Sequence, residues 1–182
     1  MSSNHPDALT GSPFRAAFSE VLGDLGKAGC PVQSTDDQVE CLTELCECLG
    51  THFDQACACG LAQQIGRSTF THLVRSATGL EDLMEQSFRL LPEKMRLRRG
   101  LGHLEKLVEE LFGIPVEVID TSDTISLETA EHPGEHQLIP HLETGFIQEF
   151  ILWVGGGKPH PVSVHIGQPG WSILIGKQPF DL

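Results

Sequence analysis

"LIPHLETGFIQEFILWVGGG", residues 138 to 157, decides how the rest of the chain must be arranged. At helical spacing Leu142, Phe146, Phe150 and Trp153 form one apolar stripe, and Ile139, Ile147, Ile151 and Val154 form a second. A helix apolar on more than one side is covered on more than one side, so this one is expected at the centre, between a sheet and other helices. Gly155, Gly156 and Gly157 end it and free the chain to reverse. Its aromatic face serves either as plain core or as the wall of a cavity for an apolar ligand.

Working outward, residues 159–166 and 171–178 flank "GQPG" and read as two strands. Before the helix, Val116 and Val118 alternate with Glu117 and Ile119, "TSDT" is a turn, and Ile125 and Leu127 continue beyond it, which predicts a hairpin. Four helices precede that hairpin. The first carries Phe14, Ala17, Phe18, Val21, Leu22 and Leu25 at spacings of three and four. The second is capped by Ser34, Thr35 or Asp36, buries Val39, Leu42, Leu45 and Leu49, and closes at Gly50. The third runs from about Gln55 to Ala77, with Gly66 marking a close packing point. The fourth has Pro92 in its first turn, the stripe Leu97, Leu101, Leu104, Val108 and Leu111, and a stop at Gly113 and Pro115. Helices, hairpin, helix, hairpin predict an α+β fold: helices packed on an antiparallel sheet of about four strands, in a single domain over residues 14–182 after a polar tail, 1–13.

The formal charge of −13 opposes a nucleic-acid partner, because such affinity comes largely from Lys and Arg displacing counterions. One basic cluster, "EKMRLRR", holds Lys94, Arg96, Arg98 and Arg99 and is expected to be a solvated helix face balanced by the acids of "EKLVEEL". No run approaches the roughly 18 apolar residues of a membrane span, and the N-terminus has no signal-like segment, which places the chain in the cytoplasm. Thiols stay reduced there, so six cysteines suggest metal, redox chemistry or burial before disulfides.

Cys41, Cys46, Cys48, Cys57 and Cys59 crowd into residues 41–59, but residues two apart on a helix point about 200° apart, so both C-x-C pairs are split. Cys48 shares a face with Cys41 and with His52, which leaves a site assembled from two helices as the metal alternative to burial. Adjacent carboxylates, Glu40, Glu44, Glu47 and Asp54, should raise thiol pKa values and quench nucleophilicity. His132, His136 and His141, with His160 and His165, form a second metal-ligand alternative against solvated surface histidines. "GGGKPHP" is not a phosphate loop, and no dinucleotide, serine-hydrolase or zinc-protease signature occurs.

Two stretches resemble a family. Residues 66–101, with Gly66, Arg67 and Phe70 and then Arg89, Leu90, Leu91 and Pro92, are similar to bacterial hydrocarbon-binding proteins of the 4-vinyl reductase domain family. So are residues 145–182, through Gln148, Glu149, Trp153, Gly156, Gly157, Lys177 and Pro179. The resemblance implies a ligand-binding α+β fold as in haem nitric-oxide sensors and a Golgi-transport subunit, and usually a dimer. The family's C-P-x-C stands here as "HPGEH", and Ser163 and Trp171 occupy the later cysteine positions, so thiolate zinc binding is lost. Either packing replaces the metal, with Trp171 supplying bulk, or a weaker site is rebuilt from His132, His136 and His165.

The expected function is therefore binding of a small hydrophobic ligand as a sensor or carrier, in a homodimer that works through a separate protein. Expected pocket walls are Phe70, Leu73, Val74, Phe88, Leu101, Leu104, Phe146, Phe150 and Trp153, with Arg67 and Arg89 as polar anchors or as members of structural ion pairs. The alternatives are a tetrapyrrole vinyl-group reductase component, for which the chain offers no nucleotide or flavin signature, and a metal or redox sensor. The cofactor expected is none beyond a bound apolar ligand, with zinc as the alternative although the family's thiolate site is absent.

Overall fold

The computed structural model describes residues 12–23, 38–76, 79–130, 137–167 and 170–180. Among these are seven helices: α1 Pro13–Leu22, α2 Gln38–His52, α3 Gln55–Ser76, α4 Glu81–Met84, α5 Gln86–Arg89, α6 Glu93–Phe112 and α7 Ile139–Val154. Four strands, β1 Glu117–Asp120, β2 Thr124–Thr129, β3 Val162–Ile166 and β4 Trp171–Gly176, form one antiparallel sheet in the order β1-β2-β4-β3. The α+β architecture follows the periodicities of the sequence. The short helices α4 and α5 add to it, between elements too close together for a simple loop to have been distinguished from single helical turns.

Register explains which face of the sheet is covered. Ile125 pairs with Ile175, Leu127 with Ile173 and Thr129 with Trp171, while Val162 and Val164 oppose Ile175 and Ile173 from the other side. Side chains alternate along a strand, so these residues share one face, and Ile125, Leu127, Ile173 and Ile175 of β2 and β4 are buried on it. That face packs on α7. The other side of α7 packs on α3, which leaves the helix in the middle, and its apolar residues from Ile139 to Val154 are nearly all buried.

Two glycines let α3 and α7 meet. A Cβ on Gly66 would lie 2.0 Å from the Leu142 carbonyl oxygen, and one on Gly145 would lie 2.0 Å from that of Gln63. The helices thus cross backbone against backbone, as the close packing expected at Gly66 requires. Around this crossing runs a relay of aromatic rings: Phe14 to Phe112 at 5.3 Å, Phe112 to Phe146 at 5.9 Å, Phe146 to Phe70 at 5.5 Å, Phe70 to Trp153 at 5.9 Å, and Trp153 to Phe88 at 6.4 Å. All but the last are edge-to-face, the geometry that sets a positive ring edge against a negative face.

Some local expectations are corrected. Helix α2 continues through Gly50 to His52, because Thr51, His52 and Phe53 each donate to the residue four back, at Glu47, Cys48 and Leu49. Val39 is 49 % exposed, lying at the rim beside Gly113, while Leu42, Leu45 and Leu49 are buried as expected. Pro92 is the N-cap of α6, just outside the first turn, and Gly113 ends that helix in the left-handed conformation at φ 69°. The Ser34, Thr35 and Asp36 caps lie outside the described residues.

Candidate functional site

The turn after α7 is built around one arginine. Arg96, in the first turns of α6, donates from Nε to the Val154 carbonyl at 3.0 Å and from Nη2 to that of Gly155 at 3.3 Å. Its Nη1 donates to the carbonyls of Arg89 at 3.3 Å and Leu91 at 3.4 Å. A guanidinium at the C-terminal carbonyls of a helix satisfies orphan acceptors and opposes the negative end of the helix dipole. Gly156 is at φ +74°, where any other residue would be strained, and a Cβ there would come within 2.6 Å of Arg96 Nη2, so the guanidinium would have to shift.

This clip ties α5, α6 and α7 into a cleft of about 500 Å³ lined by Leu83, Phe88, Arg89, Arg96, Glu149, Leu152, Trp153, Gly156 and Gly157. Phe88 and Trp153 stack at an interplanar angle of 20°. On the other flank of Glu149 and Leu152 lies a second cleft of about 450 Å³, lined also by Arg67, Gln148, Pro159, His160, Val162 and Phe180. There Arg67 donates from Nε and Nη2 to Gln148 Oε1, at 3.1 Å and 2.7 Å, joining α3 to α7. His160 donates Nδ1–H to the Gly176 carbonyl at 2.8 Å, which leaves Nε2 without a hydrogen-bond partner, 3.6 Å from Glu93 Oε1. Glu93 is held mainly by Lys158, 2.5 Å away, and this keeps its carboxyl below the usual range.

The expected pocket residues separate into two groups. Phe88 and Trp153 line the first cleft together with the exposed Arg89, Phe88 being itself buried at 2 % exposure and Trp153 half-buried. Phe70, Leu73, Leu101, Leu104, Phe146 and Phe150 are buried core, with Phe70 packed edge-to-face on Phe146, Phe150 and Trp153, and Val74 is half-buried against them. Of the two arginines, Arg89 lines the first cleft and Arg67 the second. Among the described residues neither is in an ion pair.

Among the described residues no group of three His, Cys, Asp or Glu side chains could hold an ion. His165 is exposed on β3, His141 is half-buried with its pKa lowered by burial, and His132 and His136 lie outside the described residues. Cys41 and Cys46 are buried free thiols, Cys57 is exposed and Cys59 half-buried, so helical geometry does split the C-x-C pairs. Burial, more than the neighbouring carboxylates, raises the Cys41 and Cys46 thiols, Cys46 to about 12. Cys48 is disulfide-bonded, where metal, redox chemistry or burial was expected before a disulfide, so it offers no thiolate beside His52, whose Nδ1–H donates to the Cys48 carbonyl at 3.0 Å.

Trp171 does supply apolar bulk, being 3 % exposed, but it also donates its indole N–H to Glu143 Oε2 at 2.7 Å. Glu143 is buried, its Oε1 has no partner, and burial raises its pKa to about 7. This buried acid was not singled out from sequence, although position 143 falls in the stripe between Ile139 and Ile147, where a polar residue must be enclosed. Comparison with protein-family models, curated proteins and solved structures finds no match to this chain.

Proposed function

We propose that this chain is a binding module for a small apolar ligand, acting as a sensor or carrier, and that the ligand occupies the cleft between α5, α6 and the end of α7. The observation that carries the reading is the Phe88–Trp153 stack beside the exposed Arg89. A flat or extended apolar body covers the half-buried Trp153 and Leu152, gaining the free energy of apolar burial, and an anionic group on it meets the Arg89 guanidinium. Arg96 shapes the wall and is committed to four carbonyls, so Arg89 is the cation left for a ligand. The resemblance to hydrocarbon-binding proteins of the 4-vinyl reductase domain family supports the same class of ligand, and a homodimer is part of the proposal.

Native mass spectrometry of the purified protein, beside the same sample after denaturation, tests this. An organic mass present natively and lost on denaturation is expected, and its absence from Phe88→Ala places it in the cleft. An excess mass equal to a metal ion, or an organic mass indifferent to Phe88, contradicts it.

A further inference from the structure

The exposed cations at the start of α6 make no ion pair among the described residues, although Glu149 lines the same cleft as Arg89 and Glu85 lies four residues before it. Residues 89–99, "RLLPEKMRLRR", hold five of the twelve Lys and Arg residues of a chain with net charge −13. The lone acid among them, Glu93, is taken by Lys158. Arg89, Lys94, Arg98 and Arg99 are exposed, and among the described residues none is in an ion pair. The acids Glu105, Glu109 and Glu110 lie toward the other end of the helix. Basic residues at a helix N-terminus and acids at its C-terminus both oppose the macrodipole, so this arrangement does not stabilise α6.

At about 100° per residue, Lys94, Met95, Arg98 and Arg99 fall within one arc of about 140°, opposite the buried Leu97, Gly100, Leu101 and Leu104. Two large apolar side chains stand exposed in this basic field, Leu90 at 78 % and Met95 at 55 %. The strip continues into the first cleft, since Phe88 and Arg89 line it.

We propose that this face docks on an anionic lipid bilayer surface. The four cations sit at the phosphate level, Leu90 and Met95 enter the boundary between headgroups and acyl chains, and the strongly negative remainder of the molecule is turned away. Charge complementarity names the partner's sign, and the small apolar content names its kind. Two protruding side chains are far short of the roughly 800 Å² per partner of a standard protein interface, whereas attraction to an anionic bilayer accumulates charge by charge. Docked this way, the cleft mouth meets the bilayer, where apolar molecules collect. That last step alone rests on the ligand reading of the cleft; docking itself does not.

Co-sedimentation of the full chain with vesicles tests the docking without any ligand. Binding is expected to phosphatidylserine-rich vesicles and not to pure phosphatidylcholine, weakening as salt rises. Each exposed cation removed should cost about fivefold in affinity, so Arg98→Ser with Arg99→Ser should cost about thirtyfold, and Leu90→Ser should weaken binding with no change in salt dependence. These positions are exposed, so an unchanged Tm certifies the variants as folded. No binding to the anionic vesicles, or binding indifferent to the double substitution, overturns the proposal. Binding to polyglutamate but not to vesicles overturns it in favour of an acidic protein. Vesicle binding by a chain that carries no organic ligand would separate a failure of the cleft reading from a failure of this one.

Discussion

Glu143 shows what a single buried acid does in this core. Its carboxyl sits at about 7 in the folded chain, against an ordinary 4.5, because burial disfavours the anion more than the Trp171 N–H favours it. A raised pKa means the folded state holds the proton more tightly than the unfolded one. The stabilisation is therefore complete below about pH 4.5 and is lost as pH rises through about 7. Glu143→Gln keeps an acceptor for Trp171 and does not ionise, so it should match the wild type near pH 4.5 and exceed it by ~3 kcal/mol at pH 8. Urea melts across that range check this, and a pH-independent difference would refute it. The thiols give a second residue-scale test. Cys57 is the exposed free thiol, whereas Cys41 and Cys46 are buried, so brief alkylation followed by mass spectrometry should label Cys57 first and Cys46 last. Position 143 was legible as buried from its stripe, but its Trp171 partner, 28 residues away across the α7–β4 contact, was not. Local period reports the face a residue occupies and is silent on which distant side chain meets it.

At the scale of elements, the crossing of α3 and α7 is the joint on which the rest is hung. Gly66→Ala or Gly145→Ala would drive a methyl group into a backbone carbonyl of the facing helix. Each should cost about 3 kcal/mol or more, measured as a fall in the denaturation midpoint, while Gly102→Ala, which meets open space, should not destabilise. The Arg96 clip is a second joint. Arg96→Ala frees four carbonyls at the ends of α5 and α7 and should cost about 2–3 kcal/mol, together with loss of the cleft's shape. Element type was readable because α7, α6 and the strand pairs each hold one period throughout. Gly66 was readable as a packing point, while its reciprocal partner Gly145 was not singled out. The same signal was present there, a glycine inside a strongly apolar helix, but pairing two glycines requires the helix crossing, which no local pattern encodes.

Across the whole molecule, the aromatic relay from Phe14 to Phe88 carries core packing out to the cleft wall, so the proposed ligand surface is an extension of the core rather than a cavity within it. That is why the expected pocket residues divide as they do. Sequence identifies apolar faces, and Phe70, Phe146 and Phe150 satisfy one another, leaving the half-buried Trp153, with the buried Phe88 stacked on it, at the cleft wall. The central claim, that this cleft holds a flat apolar ligand with an anionic group, is tested most directly by titrating anilinonaphthalene sulfonate into the folded protein and following energy transfer from tryptophan. Saturable binding at one site per chain is predicted, weakened roughly tenfold or more by Phe88→Ala and by Arg89→Ala. Binding that does not saturate, or that is unchanged in both variants, would contradict it.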